Sequence, residues 1–206
     1  MNGVLKLSEN LAVGRYAVTV INPNTGEETA NYATIVKRIT GNANINMYYG
    51  AGKSYTVCVF DDNGTAAGAG ENVSFAINGK TYTRQTDSNG YASFKITLQA
   101  KTYTITAAYK GVKVSNKVVV KPVLTAKNIS KKKAKTIKFT AKLVNTNGKA
   151  LKGKVIKFKF KGKTYTAKTN KKGIATVSLK NLKVGKYTIK SVYGKSTVKN
   201  TIKVRK

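Results

Sequence analysis

Seven carboxylates, one cysteine and no histidine are what this 206-residue sequence offers for acid-base or nucleophilic chemistry. Ser/His/Asp and Cys/His arrangements therefore have no base to build on, and Cys58 has no histidine to activate it. No glycine-rich loop precedes a helix, so a phosphate cradle of the P-loop kind is absent. Asp61-Asp62-Asn63 and Asp87-Ser88-Asn89 carry oxygens that calcium could use, but neither has the length or ligand count of an EF-hand loop, and side-chain-capped turns are expected there. A Lys to Asn/Asp isopeptide or Thr to Gln ester crosslink needs a buried acid to shuttle protons. The acids Asp61, Asp62, Glu71 and Asp87 all fall at expected turns, and none lies beyond Asp87. The sequence therefore reads as a non-enzyme that needs no cofactor and holds no metal.

Lysine is what the chain has in excess. There are 39 Lys+Arg against 7 Asp+Glu, a net charge of +32. Up to Asp87, 7 cations match 7 acids; from Ser88 to Lys206 there are 32 cations and no carboxylate side chain. The stretch Val123 to Lys206 alone holds 26 cations, among them "SKKKAKTIK" and "KGKVIKFKFKGKTYTAKTNKKG". Such density repels itself in a compact state unless counter-ions or a polyanion gather on it, so an anionic polymer is the expected partner. The candidate polyanion-binding residues are Lys131, Lys132, Lys133, Lys135, Lys154, Lys157, Lys159, Lys161, Lys163, Lys171 and Lys172. Sequence-nonspecific nucleic-acid binding is the alternative, since net charge alone would permit it. Against a base-specific mode, only Arg205 among those 26 cations is the arginine suited to bidentate guanine and phosphate contacts. Tyr165 and Tyr187 recur at repeat positions that suit packing rather than base stacking. An enzyme acting on wall polymer would need a pair of carboxylates that the lysine-rich part lacks. No apolar run reaches 18 residues, so no membrane insertion is expected.

The elements that must present these lysines read as β throughout. Segments such as "SYTVCVF", "TIKFTAKLV", "VSFAI", "VIKFKF", "YTITAAY" and "YTIKSVY" alternate residue by residue and are rich in Val, Ile, Thr, Tyr and Phe. Between them stand Asn63-Gly64, Asn78-Gly79, Asn89-Gly90, Lys110-Gly111, Asn147-Gly148 and Lys172-Gly173, where Gly or Asn tolerates the positive φ of a tight turn. The pattern repeats: "GENVSFAINGKTYTRQTDSNGYASFKITL" superposes on "GKVIKFKFKGKTYTAKTNKKGIATVSLKNL", and Tyr103 falls on Tyr187. The opening "NGVLKLSENLAVGRYAVTV" aligns in turn with "NGYASFKITLQAKTYTITA", putting Asn2-Gly3 on Asn89-Gly90, Leu7 on Phe94 and Tyr16 on Tyr103. The expected fold class is all-β: tandem immunoglobulin-like β-sandwich repeats preceded by a partial repeat. Domain boundaries are expected at 1–39 for the closing strands of a truncated repeat, 40–122 for a sandwich and 123–206 for a lysine-rich sandwich, with a short linker around Pro122. Each sandwich should have about seven strands. Alternation places Tyr55, Val57, Val59, Phe139, Ala141 and Leu143 inward and turns Cys58 outward. It also places Val155, Phe158 and Phe160 in or near the core, with Lys154, Lys157, Lys159, Lys161 and Lys163 on the solvent side.

The "QTDSNGYASFKI" stretch, the linked "GKTYT" hairpin and the lysine-saturated closing repeat resemble the bacterial-type immunoglobulin-like repeats of adhesin-like surface proteins from methanogenic archaea. The resemblance covers nearly the whole chain. It implies a stalk projecting from the cell wall and closed by a basic repeat. The implied location is extracellular, at the cell surface or cell wall, with anionic wall or surface polymer and surface ligands of other cells as partners. The family's N-terminal export signal is not found in this sequence, and the alignment of the opening stretch gives the reason expected: a chain that starts inside a repeat.

Overall fold

The computed structural model describes residues 11–206, and among them every regular element is a strand. Among the described residues no helix is long and apolar enough to cross a membrane. Backbone contacts divide the chain into two compact units. Among the described residues one comprises 11–43, Tyr55–Phe94 and Ile105–Ser115; the other comprises Asn44–Ser54, Lys95–Thr104 and Asn116–Lys206.

An antiparallel hairpin comes first, β1 (Gly14–Ile21) with β2 (Glu28–Ile35). Eight strands follow: β3 (Ile39–Thr40), β4 (Ile45–Tyr48), β5 (Ser54–Val59), β6 (Asn72–Ile77), β7 (Lys80–Gln85), β8 (Tyr91–Lys95), β9 (Thr102–Tyr109) and β10 (Val112–Lys121). The lysine-rich part supplies eight more: β11 (Leu124–Ala126), β12 (Ile129–Lys132), β13 (Thr136–Leu143), β14 (Val155–Phe160), β15 (Lys163–Lys168), β16 (Ile174–Lys180), β17 (Gly185–Tyr193) and β18 (Ser196–Arg205). Only Pro122 and Val123 separate β10 from β11.

The two sets of eight have one topology. Three-stranded sheets run β3-β5-β8 and β11-β13-β16; five-stranded sheets run β4-β10-β9-β6-β7 and β12-β18-β17-β14-β15. In each set the first strand is split. Its opening part pairs antiparallel in the small sheet (Ile39 with Val59, Leu124 with Leu143), and its continuation pairs parallel with the last strand of the large one (Ile45 with Val118, Ile129 with Ile202). Because of that split each sandwich has eight strands where about seven were expected. Strand order and paired sheets make both immunoglobulin-like sandwiches without the Cys/Trp/Cys core.

The cores match too. Tyr55 packs edge-on to Phe75 at 6.0 Å, and Phe139 edge-on to Phe158 at 6.1 Å. Tyr55, Val57, Val59, Phe139, Ala141 and Leu143 are all buried, as the alternation requires. Tyr103 donates its hydroxyl to the Gln99 carbonyl at 2.9 Å, and Tyr187 donates to the Lys183 carbonyl at 2.8 Å. These are tyrosine corners, in which a ring at the start of a strand ties back to the preceding loop. Tyr16 makes the third: it donates to the Ala12 carbonyl at 2.8 Å at the start of β1, so β1–β2 corresponds to β9–β10 and β17–β18. The alignments of Asn2-Gly3 and Leu7 lie outside the described residues.

Three expectations need correction. Val155 is exposed, because β14 buries Ile156, Phe158 and Phe160 and turns Val155 outward with Lys157 and Lys159. Lys161 is exposed as expected, but it stands in the hairpin turn between β14 and β15 at φ 47°, beside Gly162, and not on a strand. Cys58 does point away from the sandwich core, but it is buried: the Asp87–Tyr91 turn closes over it, and its thiol lies 3.6 Å from the Asn89 carbonyl oxygen. Burial, and after it the Asp87 charge, push that thiol up from its ordinary value.

Candidate polyanion-binding surface

The register of the lysine-rich large sheet sets cations side by side. Lys159 of β14 is directly opposite Lys190 of β17, and Lys190 is directly opposite Lys199 of β18. All three are exposed. Neighbouring strands lie about 4.8 Å apart, so three lysine stems leave the sheet in one line. Lys186 faces Lys203 on the same side, and in the parallel edge pair Lys132 lies beside Arg205. Like charges directly opposite cost up to about 1 kcal/mol per pair. The sheet tolerates this because the side chains beneath it are fully buried, among them Ile156, Phe158, Ile189 and Ile202, each contributing about 1.5–3 kcal/mol.

The same rung in the preceding sandwich is neutral. There Ala76 faces Thr106, and Thr106 shares a 2.7 Å hydroxyl hydrogen bond with Ser115. Fold and register therefore do not demand lysine.

Nor does the fold exclude acids from the lysine-rich sandwich. Asp61 Oδ1 accepts the Asn63 and Thr65 amides at 2.9 and 3.0 Å; in the equivalent turn Asn145 Oδ1 accepts the Asn147 and Lys149 amides at 2.9 Å each. Asp87 Oδ1 takes the Asn89 and Tyr91 amides at 2.9 and 3.0 Å, and Asn170 Oδ1 takes those of Lys172 and Ile174 at the same distances. The two acid clusters read as possible calcium ligands thus spend an oxygen on capping their own turns. The Thr65 hydroxyl and these amides hold the Asp61 carboxyl below its ordinary value. Glu71, whose amide is bonded to Thr86, accepts the Tyr109 hydroxyl at 3.0 Å. Its counterpart, with its amide bonded to Thr169 in the same way, is Lys154. Each of these three structural carboxylates is an amide or a cation in the lysine-rich sandwich.

The eleven candidate lysines are exposed but do not form one patch. Lys157 and Lys159 lie on the outer face of the large sheet. Lys131 and Lys132 lie on its edge strand β12, and Lys163 opens the opposite edge strand β15. Lys171 and Lys172 sit in the β15–β16 turn, with Lys154 nearby just before β14. Lys133 and Lys135 follow β12 at the other end, where Lys161 and Lys163 also lie. Sequence reading missed Lys190 and Lys199, the partners of Lys159, because only the strand register brings them together.

No family model matches the sequence, and no curated protein does. Among solved structures the chain is similar to the I9–I11 tandem of titin (17% identity, 93% of this chain and 73% of that one, TM-score 0.38). It is similar also to the D00-D0 domain of intimin (17% identity, 82% and 98%, TM-score 0.38) and to invasin, a bacterial integrin-binding protein (20% identity, 81% and 38%, TM-score 0.35). Scores this low carry no inference about function, and the fold assignment rests on the strand order and register above.

Proposed function

We propose that the chain is an adhesin-like, non-catalytic stalk segment of a cell surface, organised as a partial repeat (1–39), a sandwich (40–122) and a lysine-rich sandwich (123–206) that grips an anionic wall or envelope polymer. The observation that carries this reading is a substitution within a fixed frame. One fold occurs twice, with a neutral rung and capping carboxylates in the first copy, and a lysine rung, capping carboxamides and no acid in the second. A solubility role needs net charge; it does not need turn-capping carboxylates replaced by isosteric amides.

Lysine ammonium groups are hydrated point charges that follow a polymer without reading it, so no nucleic-acid sequence should be preferred. Tyr187 is committed to its corner hydrogen bond, which supports a packing role over base stacking. The test is cosedimentation of the whole chain with purified anionic wall polymer. Replacing Lys159, Lys190 and Lys199 by Gln one, two and three at a time should weaken binding in steps. Binding indifferent to all three would remove the sheet face from the contact, and no sedimentation of the unmodified chain with the polymer would overturn the assignment.

A further inference from the structure

The lysines are not equal, and one end of the lysine-rich sandwich is built differently from the sheet face. Two hollows adjoin there and share Asn181 and Leu182 in their walls. One, of about 480 Å³, is lined also by Lys133, Lys135 and Lys183; the other, of about 260 Å³, by Lys161, Lys163 and Lys180. Six cations therefore line two adjoining hollows, and the sandwich has no carboxylate side chain to neutralise any of them.

The floor is fixed by packing and hydrogen bonds. Leu182 and Phe160 are buried members of the core. Asn181, in the left-handed region at φ 54°, donates its amide to the Lys135 carbonyl at 2.9 Å, which ties the β16–β17 loop to the loop before β13. Lys133 donates its amide to the Arg205 carbonyl at 2.8 Å. Tyr187 holds the Lys183 carbonyl, and the Lys161 ammonium lies 5.5 Å from the centre of the Tyr187 ring. The backbone under the cations is thus held in place before any ligand arrives, which lowers the ordering cost of binding.

The corresponding end of the preceding sandwich has the same backbone with fewer of the cations. Tyr49, bonded to the Lys121 carbonyl as Lys133 is to Arg205, stands where Lys133 stands. Asn78 at φ 52° stands for Lys161, and Gln99, the tyrosine-corner acceptor, for Lys183. Only Lys80, at the start of β7, matches a cation, Lys163.

Building on the proposed polymer-gripping role, we infer that this end is the principal anion seat, and that it takes a densely charged oxyanion, a phosphate or sulfate ester group on a polymer. Three point charges at each of two adjoining hollows favour concentrated negative charge over a lone carboxylate per sugar, because ammonium groups lack the planar fork that would select carboxylate shape. The open sheet face, with the Lys159–Lys190–Lys199 rung and the Lys186–Lys203 pair, adds length to the contact.

The experiment compares equal charge removal at the two places in the whole chain: Lys133, Lys135 and Lys183 to Gln against Lys157, Lys159 and Lys190 to Gln. Binding is measured calorimetrically to polyphosphate, dextran sulfate and polygalacturonate. Circular dichroism and melting confirm that both variants fold. The end variant should lose at least tenfold in affinity for polyphosphate or dextran sulfate and the face variant about twofold to threefold; whichever of these two polymers shows the larger loss tells phosphate from sulfate as the preferred anion. Equal losses would overturn the end site while leaving the polymer-gripping role standing. No loss in either variant would overturn both. Polygalacturonate bound as tightly as polyphosphate and dextran sulfate, and equally dependent on the end lysines, would overturn the ligand class.

Discussion

Asp87 and Asn170 hold the same turn in successive sandwiches, each accepting two backbone amides on one side-chain oxygen at 2.9 and 3.0 Å. A carboxylate and a carboxamide are interchangeable as acceptors there, but they differ by a full negative charge. What distinguishes the two positions is therefore electrostatic and not conformational.

This separates folding from binding. Asn145→Asp together with Asn170→Asp should leave the circular dichroism spectrum unchanged and the melting temperature equal or slightly raised, since two acids relieve a crowd of like charges. Affinity for anionic polymer should fall severalfold. A drop in stability with unchanged binding would mean that the amides serve the fold.

Burial pushes the Tyr55 phenol up to about 12 from the usual 10. A group held protonated by the fold stabilises it fully below the unfolded value, and that contribution is lost as pH rises from about 10 through 12. Alkaline melting should show this loss, and Tyr55→Phe should remove part of it; the equivalent core position is already Phe139. An identical pH profile in the variant would contradict the role given to Tyr55.

Cys58 should be slow to react. The thiol is buried beneath the Asp87–Tyr91 turn and shifted towards its unreactive protonated form. Labelling with a maleimide at neutral pH should proceed at least tenfold slower in the native chain than in denaturant. Equal rates would mean that the turn does not cover it.

Ser191 is fully buried, and its Oγ has no hydrogen-bond partner among the described residues; the equivalent residue of β9 is the fully buried Ala107. Ser191→Ala should raise the midpoint of thermal unfolding, reflecting about 1 kcal/mol from removing a desolvated hydroxyl. A lowered midpoint would show that the hydroxyl is satisfied in solution.

Local features were legible in the sequence and register was not. The match of Tyr16 with Tyr103 and Tyr187 becomes three like hydrogen bonds because a tyrosine corner spans only a few residues. The Asx turns were readable for the same reason. Val155 was misplaced although the pattern is local: Ile156 stands two and four residues before Phe158 and Phe160, so period-2 alternation itself turns Ile156 inward and leaves Val155 outside with Lys157 and Lys159. Alternation correctly turned Cys58 away from the core face but could not say that a turn from elsewhere in the chain covers it. The alignment of Lys159, Lys190 and Lys199 depends on how three strands distant in sequence pair, which no local pattern encodes.

The most direct test of the account is the salt dependence of binding between the whole chain and purified anionic wall polymer, with duplex and single-stranded DNA of varied sequence as competitors. Screening shortens from about 10 Å at 0.1 M salt to about 3 Å at 1 M, so a surface that works by charge must release its polymer over that range. Affinity should fall steeply and continuously, and DNA should compete without regard to base sequence. Binding that survives 1 M salt unchanged, or a marked preference for one DNA sequence, would contradict the account.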